Sequence, residues 1–221
     1  MSQFKPQQLT LDLPVRSAFG RDDFLVSESN AEAVAWIDRW PDWPSGVVIV
    51  QGPPGSGKTH LATVWTSRSG AHRHERGDLS QCMDAAGQGR SLCLDINGQI
   101  NDEAALFHLL NWAREHRADI LMTSHKPPQQ LEFTLPDLAS RIRASQVISL
   151  QEPDDALMGA VLVKLFHDRQ ISVTQDMISY LVPRLERTFS ALNEAVDRLD
   201  KAAMEAGRAV TIPLAGRVLN L

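Results

Sequence analysis

The sequence predicts an α/β protein in which a parallel sheet is sandwiched by helices and joined to a small all-helical domain. Three observations predict it. Short runs that are apolar throughout recur between longer helical segments, the first of these runs feeds directly into a glycine-rich loop, and beyond about residue 151 the strand-like runs stop.

The runs are "VVIVQG" at 47–52, "SLCLDI" at 91–96, "ADILMTS" at 118–124 and "QVISL" at 146–150. Strands without polar alternation fit a parallel sheet covered on both faces. Between them, "EAALFHLLNWAREH" at 103–116 places Ala105, Leu109, Trp112 and Ala113 on one helical stripe. "EPDDALMGAVLVKLFHDR" opens a helix, with Pro153 near its first position, Asp154 and Asp155 in its first turn, and Leu157, Val161, Leu162 and Leu165 as its buried stripe. A second helix starts after Thr174 and is ended or kinked by Pro183; a third runs through "SALNEAVDRLDKAAMEAG" with Leu192, Ala195, Val196 and Leu199 inward; "TIPLAGRVLNL" is a last short one. The expected organisation is a tail at 1–20, an α/β domain at 21–151 and a helical lid at 152–221. Trp36, Trp40 and Trp43 read as core and turn residues rather than a base-stacking platform.

With 221 residues, 43% hydrophobic and 22% charged, the chain has globular composition; its net charge of −5 and lack of a basic block argue against a large electrostatic footprint for DNA. No apolar stretch approaches the roughly 18 residues of a membrane span, and no signal-peptide pattern opens the chain, so a cytoplasmic protein with no membrane partner is expected. Cys82 and Cys93 lack metal-ligand spacing and read as buried free thiols. His72 and His74 in "AHRHERG" have no third ligand nearby and read as part of a solvated loop.

The chemistry concentrates in "GPPGSGKTH", comprising Gly52, Pro53, Pro54, Gly55, Ser56, Gly57, Lys58, Thr59 and His60. It satisfies G-x-x-x-x-G-K-[ST] between a strand and a helix, the context that the phosphate-binding loop requires. The glycines let backbone N–H groups curl around phosphate oxygens, Lys58 reaches the β- and γ-phosphates, and Thr59 offers a hydroxyl to Mg²⁺. Asp95, ending the second apolar run, is the expected acid opposite the loop on the Mg²⁺ side. The next residue is Ile96, which can neither accept a proton nor align a water, so intrinsic ATP hydrolysis is expected to be weak.

Together these residues resemble the AAA+ ATPases related to the replication initiator DnaA. "RDDFLVSESNAEAVAWI" at 21–37 looks like the segment that wraps the adenine in that family, through Phe24, Val26 and Asn30. "ILMTSHKPP" looks like the strand whose end watches the γ-phosphate, at Ser124 or His125, and "LPDLASRI" is similar to the stretch carrying the arginine finger, which maps onto Arg141, with Arg143 as a rival. The lid arginine of the family aligns with Ser190; Arg187, three residues earlier and on the same helical face, is the expected substitute. Among these ATPases, a short unit with "LPDLASR", "DRLDKAA" and "TIP" is similar to the Hda family, DnaA homologues that promote hydrolysis of DnaA-bound ATP. The resemblance implies a bound ADP or ATP with Mg²⁺ and DnaA as partner, with a homo-oligomer allowed.

In "QLTLDL", Leu9, Leu11 and Leu13 alternate with polar residues on a tail too short to build its own sheet. It resembles the hexapeptide that docks on the DNA polymerase III sliding clamp (beta subunit), with Gln8 for polar contacts and the three leucines as anchors. DNA contact would then be indirect, through the clamp. The expected function is negative regulation of replication initiation. The alternatives are a helicase-loader-like or initiator-like ATPase acting on DNA, a P-loop phosphotransferase, and a clamp-binding scaffold.

Overall fold

Five parallel strands in the order β2-β3-β4-β1-β5 form the sheet of the computed structural model, which describes residues 25–74, 79–88, 90–97 and 102–221. The expected tail ligands Gln8, Leu9, Leu11 and Leu13, and the adenine-segment residue Phe24, lie outside the described residues. The elements run α1 (Ala31–Asp38), β1 (Val47–Gln51), α2 (Lys58–Ser69), β2 (His72–His74), α3 (Ser80–Gly87), β3 (Leu92–Asp95), α4 (Glu103–His116), β4 (Ile120–Ser124), α5 (Pro136–Ala144) and β5 (Gln146–Ser149). The all-helical portion follows, as α6 (Asp155–Asp168), α7 (Gln175–Leu181), α8 (Phe189–Ala206) and α9 (Ile212–Leu219).

Because strand side chains alternate between faces, the apolar runs of β1, β3 and β4 each feed two cores at once. Val48 and Val50 of β1, Cys93 of β3 and Leu121 of β4 join Ile37, Leu61 and Trp65 from α1 and α2 on one face. Ile49, Leu92, Leu94, Ile120 and Met122 point the other way, into Leu106 and Leu109 of α4 and Ile142 of α5. This double burial is why the runs carry no polar alternation. Trp43 stacks on Trp65 with ring centroids 5.3 Å apart, and Trp40 donates its Nε1–H to Asp119 Oδ2 at 2.8 Å, so these rings are structural. Cys82 and Cys93 are buried and form no disulfide, and burial pushes the Cys93 thiol up to about 12.

The strand register positions the chemistry. β4 lies between β1 and β3, pairing Gln51 with Ser124 and Asp95 with Thr123. The carboxyl ends of β1, β3 and β4 therefore share one sheet edge, where open α/β folds hold their ligands.

The helical portion packs around Met158, Leu162 and Phe166 of α6, Ile178 and Leu181 of α7, and Leu192, Val196 and Leu199 of α8. Side-chain oxygens start three of its helices: Asp154 accepts from Leu157 N at 2.7 Å, Thr174 from Met177 N at 3.4 Å and Thr188 from Ala191 N at 3.1 Å. Two expectations need correction. Asp154 is the cap of α6 rather than a first-turn residue, so Pro153 stands two positions before the first helical residue, Asp155. His72–His74 is an edge strand paired with β3, not a loop. The expected α6 stripe is inward: Leu162 enters the lid core, Val161 and Leu165 pack against it, and Leu157, Val161 and Leu165 also line a cavity. No helix among the described residues is long and apolar enough to cross a membrane.

Candidate functional site

A cavity of about 650 Å³ opens between the sheet edge and the helical portion. Its floor is the loop between β1 and α2. Gly55 and Gly57 stand at φ +74° and +94°, a left-handed backbone that L side chains rarely adopt. A Cβ on Gly55 would lie 2.5 Å from Thr188 Cβ, and one on Gly57 would lie 3.0 Å from the Phe189 ring, so both conformation and space demand glycine. Gly57 occupies the cap of α2 without any side-chain oxygen, which leaves the first backbone N–H groups of that helix aimed at the cavity edge. Beside them the Ser56 hydroxyl is buried with no hydrogen-bond partner. Uncapped donors and an unpartnered hydroxyl together make an anion cradle.

Lys58 is 5% exposed, and its Nζ donates to the carbonyls of Gly52 at 2.8 Å and Pro53 at 2.7 Å. Gly52 and Pro53 thus form the shoulder that holds the lysine. Burial draws the Lys58 pKa below the ordinary lysine range, against the pull of the Asp95 carboxylate. Asp95 is exposed at the end of β3, accepts from Asn97 N at 2.9 Å and lines the cavity together with Thr59 and His60. One hydroxyl and one carboxylate beside an anion cradle fit Mg²⁺, which typically takes one or two protein oxygens and completes its shell with phosphate and water. Ile96 is 4% exposed and packed in the second core, where no side chain can reach a reacting water.

The wall opposite combines Leu25 and Asn30 with Leu150. Asn30 is buried; its Oδ1 accepts from Ser27 N at 2.9 Å and its Nδ2 donates to Leu25 O at 3.0 Å, which folds residues 25–30 against the cavity. Val26 packs on the first core. The helical portion closes the top with Leu157, Val161, Lys164 and Leu165 from α6 and Phe189, Ser190 and Asn193 from α8. Phe189 N donates to Gly55 O at 3.2 Å, tying α8 directly to the phosphate-type loop.

Val26, Gly52, Pro53 and Pro54 are not among the lining residues, and Ser124 and Arg187 turn away from the cavity. Ser124 is fully buried, and its hydroxyl donates to Lys126 O at 2.7 Å and accepts from Lys126 N at 3.2 Å, so it builds the turn; His125, the next residue, lines the cavity instead. Arg187 pairs with Asp155 at 2.5 Å and donates to Pro153 O at 3.2 Å, which clamps the start of α6 and leaves Ser190 as the residue facing the cavity. Arg141 also stands outside the cavity. It sits in the last turn of α5 with its guanidinium over the Phe107 ring, 4.9 Å from the centroid. Arg143, in the same turn, is exposed. Sequence reasoning missed Phe189, Lys164 and Asn193. The apolar stripe of α6, wider than one core requires, was the available signal for its share of this wall.

Residues 155–219 match the family model of the Hda lid domain. An uncharacterised protein of Haemophilus influenzae is 29% identical over 186 residues, 78% of this chain and 80% of that protein. Among solved structures, domain III of the Thermotoga maritima replication initiation protein DnaA superposes with a TM-score of 0.75 at 18% identity, covering 94% of this chain and 98% of that one. AMPPCP-bound DnaA from Aquifex aeolicus gives a TM-score of 0.67 at 18% identity, covering 84% and 66%.

Proposed function

We propose that the chain is an Hda-like, DnaA-related AAA+ protein, as the lid-domain match and the DnaA-like fold support, and that it regulates replication initiation negatively, holding adenine nucleotide in its own site and stimulating hydrolysis of ATP on DnaA. The N–H groups of the loop, Lys58 and the Ser56 hydroxyl bind the phosphates of ADP or ATP; Thr59 and Asp95 hold Mg²⁺; Leu157, Val161 and Leu165 cover the base side opposite the 25–30 segment. Bound nucleotide supplies the negative charge these donors neutralise. The AMPPCP-bound relative supports an adenine nucleotide here.

The observation that carries the reading is the position of Arg141, outside the chain's own cavity and supported on the surface of α4. An arginine that serves no site of its own can extend its planar fork into the site of a neighbouring subunit. There it neutralises charge on the transferring γ-phosphoryl, an effect on the order of 10³–10⁵ in rate for fingers supplied in trans. Docking on the sliding clamp through Gln8, Leu9, Leu11 and Leu13 would restrict this action to DNA already carrying a clamp. Buried Ile96 supports weak hydrolysis by the protein itself, in the cytoplasm where DnaA acts. The test is the decay of ATP bound to DnaA with the protein and DNA-loaded clamp present together or singly. Acceleration only when all are present is expected; equal acceleration without clamp, or none at all, would refute the reading.

A further inference from the structure

The surroundings of Arg141 extend this reading, on which the inference rests. α5 begins at Leu135, a cap position with no side-chain oxygen to fix its entry. The missing restraint comes from α4: the Glu103 carboxylate accepts from Thr134 N at 2.9 Å, Thr134 Oγ1 at 2.9 Å and Leu135 N at 2.8 Å. These bonds hold the Glu103 carboxyl below its ordinary range. They also set a negative charge beside the positive end of α5. One turn further along α4, on the same face, the Phe107 ring packs against the second core and presents its surface to the guanidinium of Arg141. α4 therefore grips α5 at both ends, once at the backbone of its entry and once at the side chain of its last turn.

We infer that Phe107 is a positioning residue for the arginine finger, holding the Arg141 guanidinium extended on an aromatic shelf whose distance from the α5 entry is set by Glu103. A long arginine side chain samples many rotamers, and ordering it during engagement costs entropy that the shelf removes in advance. Misplacement of a catalytic group by about 1 Å can lower a rate by up to about a hundredfold.

The experiment measures stimulated hydrolysis of DnaA-bound ATP, with DNA-loaded clamp, as a function of the concentration of the full-length protein. Phe107→Leu keeps the apolar contact and removes the shelf; Phe107→Tyr keeps both. The maximal rate should fall about tenfold in Phe107→Leu while the half-saturating concentration and melting temperature stay unchanged, and Phe107→Tyr should restore it. In an Arg141→Ala background, Phe107→Leu should have no further effect. An unchanged maximal rate in Phe107→Leu, or an added loss in the Arg141→Ala background, would overturn the inference alone. Full stimulation by Arg141→Ala would overturn the finger reading, and the inference with it.

Discussion

The two walls of the cavity are built from different chemistry. The sheet edge contributes Lys58, Thr59, Asp95 and uncapped N–H donors, whereas the helical portion contributes the apolar Leu157, Val161, Leu165 and Phe189 together with Lys164, Ser190 and Asn193. One wall is equipped to hold polyphosphate and metal; the other covers and seals.

Removing the sheet-edge charge should break the comparison most severely. Lys58→Ala deletes the buried ammonium and should weaken ADP binding by about a hundredfold, as expected for loss of charge-assisted bonds of about 1.5–3 kcal/mol; equilibrium titration with a fluorescent ADP measures it. Gly57→Ala attacks the seam between the walls. It forces a Cβ onto a φ of +94° and to 3.0 Å from Phe189, and urea denaturation should register a loss of about 1–2 kcal/mol. Ser190→Arg sharpens the contrast in the opposite direction by giving the lid a phosphate ligand. The preference for ATP over ADP, read by competition titration, should rise severalfold in that variant over the natural protein.

The smallest effect concerns the grip on α5. Glu103 has a pKa depressed below the ordinary 4.5 by its bonds to Thr134 and Leu135. Its stabilising contribution is present above that value and is lost as pH falls through the depressed one. Urea midpoints should therefore separate the natural protein from Glu103→Gln at pH 7, and the separation should shrink as pH falls below the ordinary 4.5.

Much of this architecture was legible in the sequence because burial on both faces leaves strands uniformly apolar. β1, β3, β4 and β5 fall within the four apolar runs, and α4 coincides with its helical segment. β2 escaped because an edge strand of His72, Arg73 and His74 buries little and carries the polar residues typical of sheet edges. The phosphate-type loop was readable because its chemistry is contiguous. The upper wall was not, because its residues lie over a hundred positions along the chain, and their helical stripes read the same whether they face a core or a cavity. Arg187 and Ser190 show the limit of face arguments: they lie close in sequence, yet an ion pair with Asp155 holds one while the other faces the cavity. Ser124 and His125 divide in the same way, by which side chain the turn consumes.

In the proposed function, binding and catalysis are carried by different parts of this protein, the cavity for its own nucleotide and Arg141 for another's. The direct measurement of this division is a side-by-side determination, on Arg141→Ala, of ADP affinity and of stimulated hydrolysis of DnaA-bound ATP in the presence of DNA-loaded clamp. Unchanged affinity and a loss of stimulation of about a thousandfold or more are expected. Affinity and stimulation falling together, or stimulation surviving intact, would contradict it.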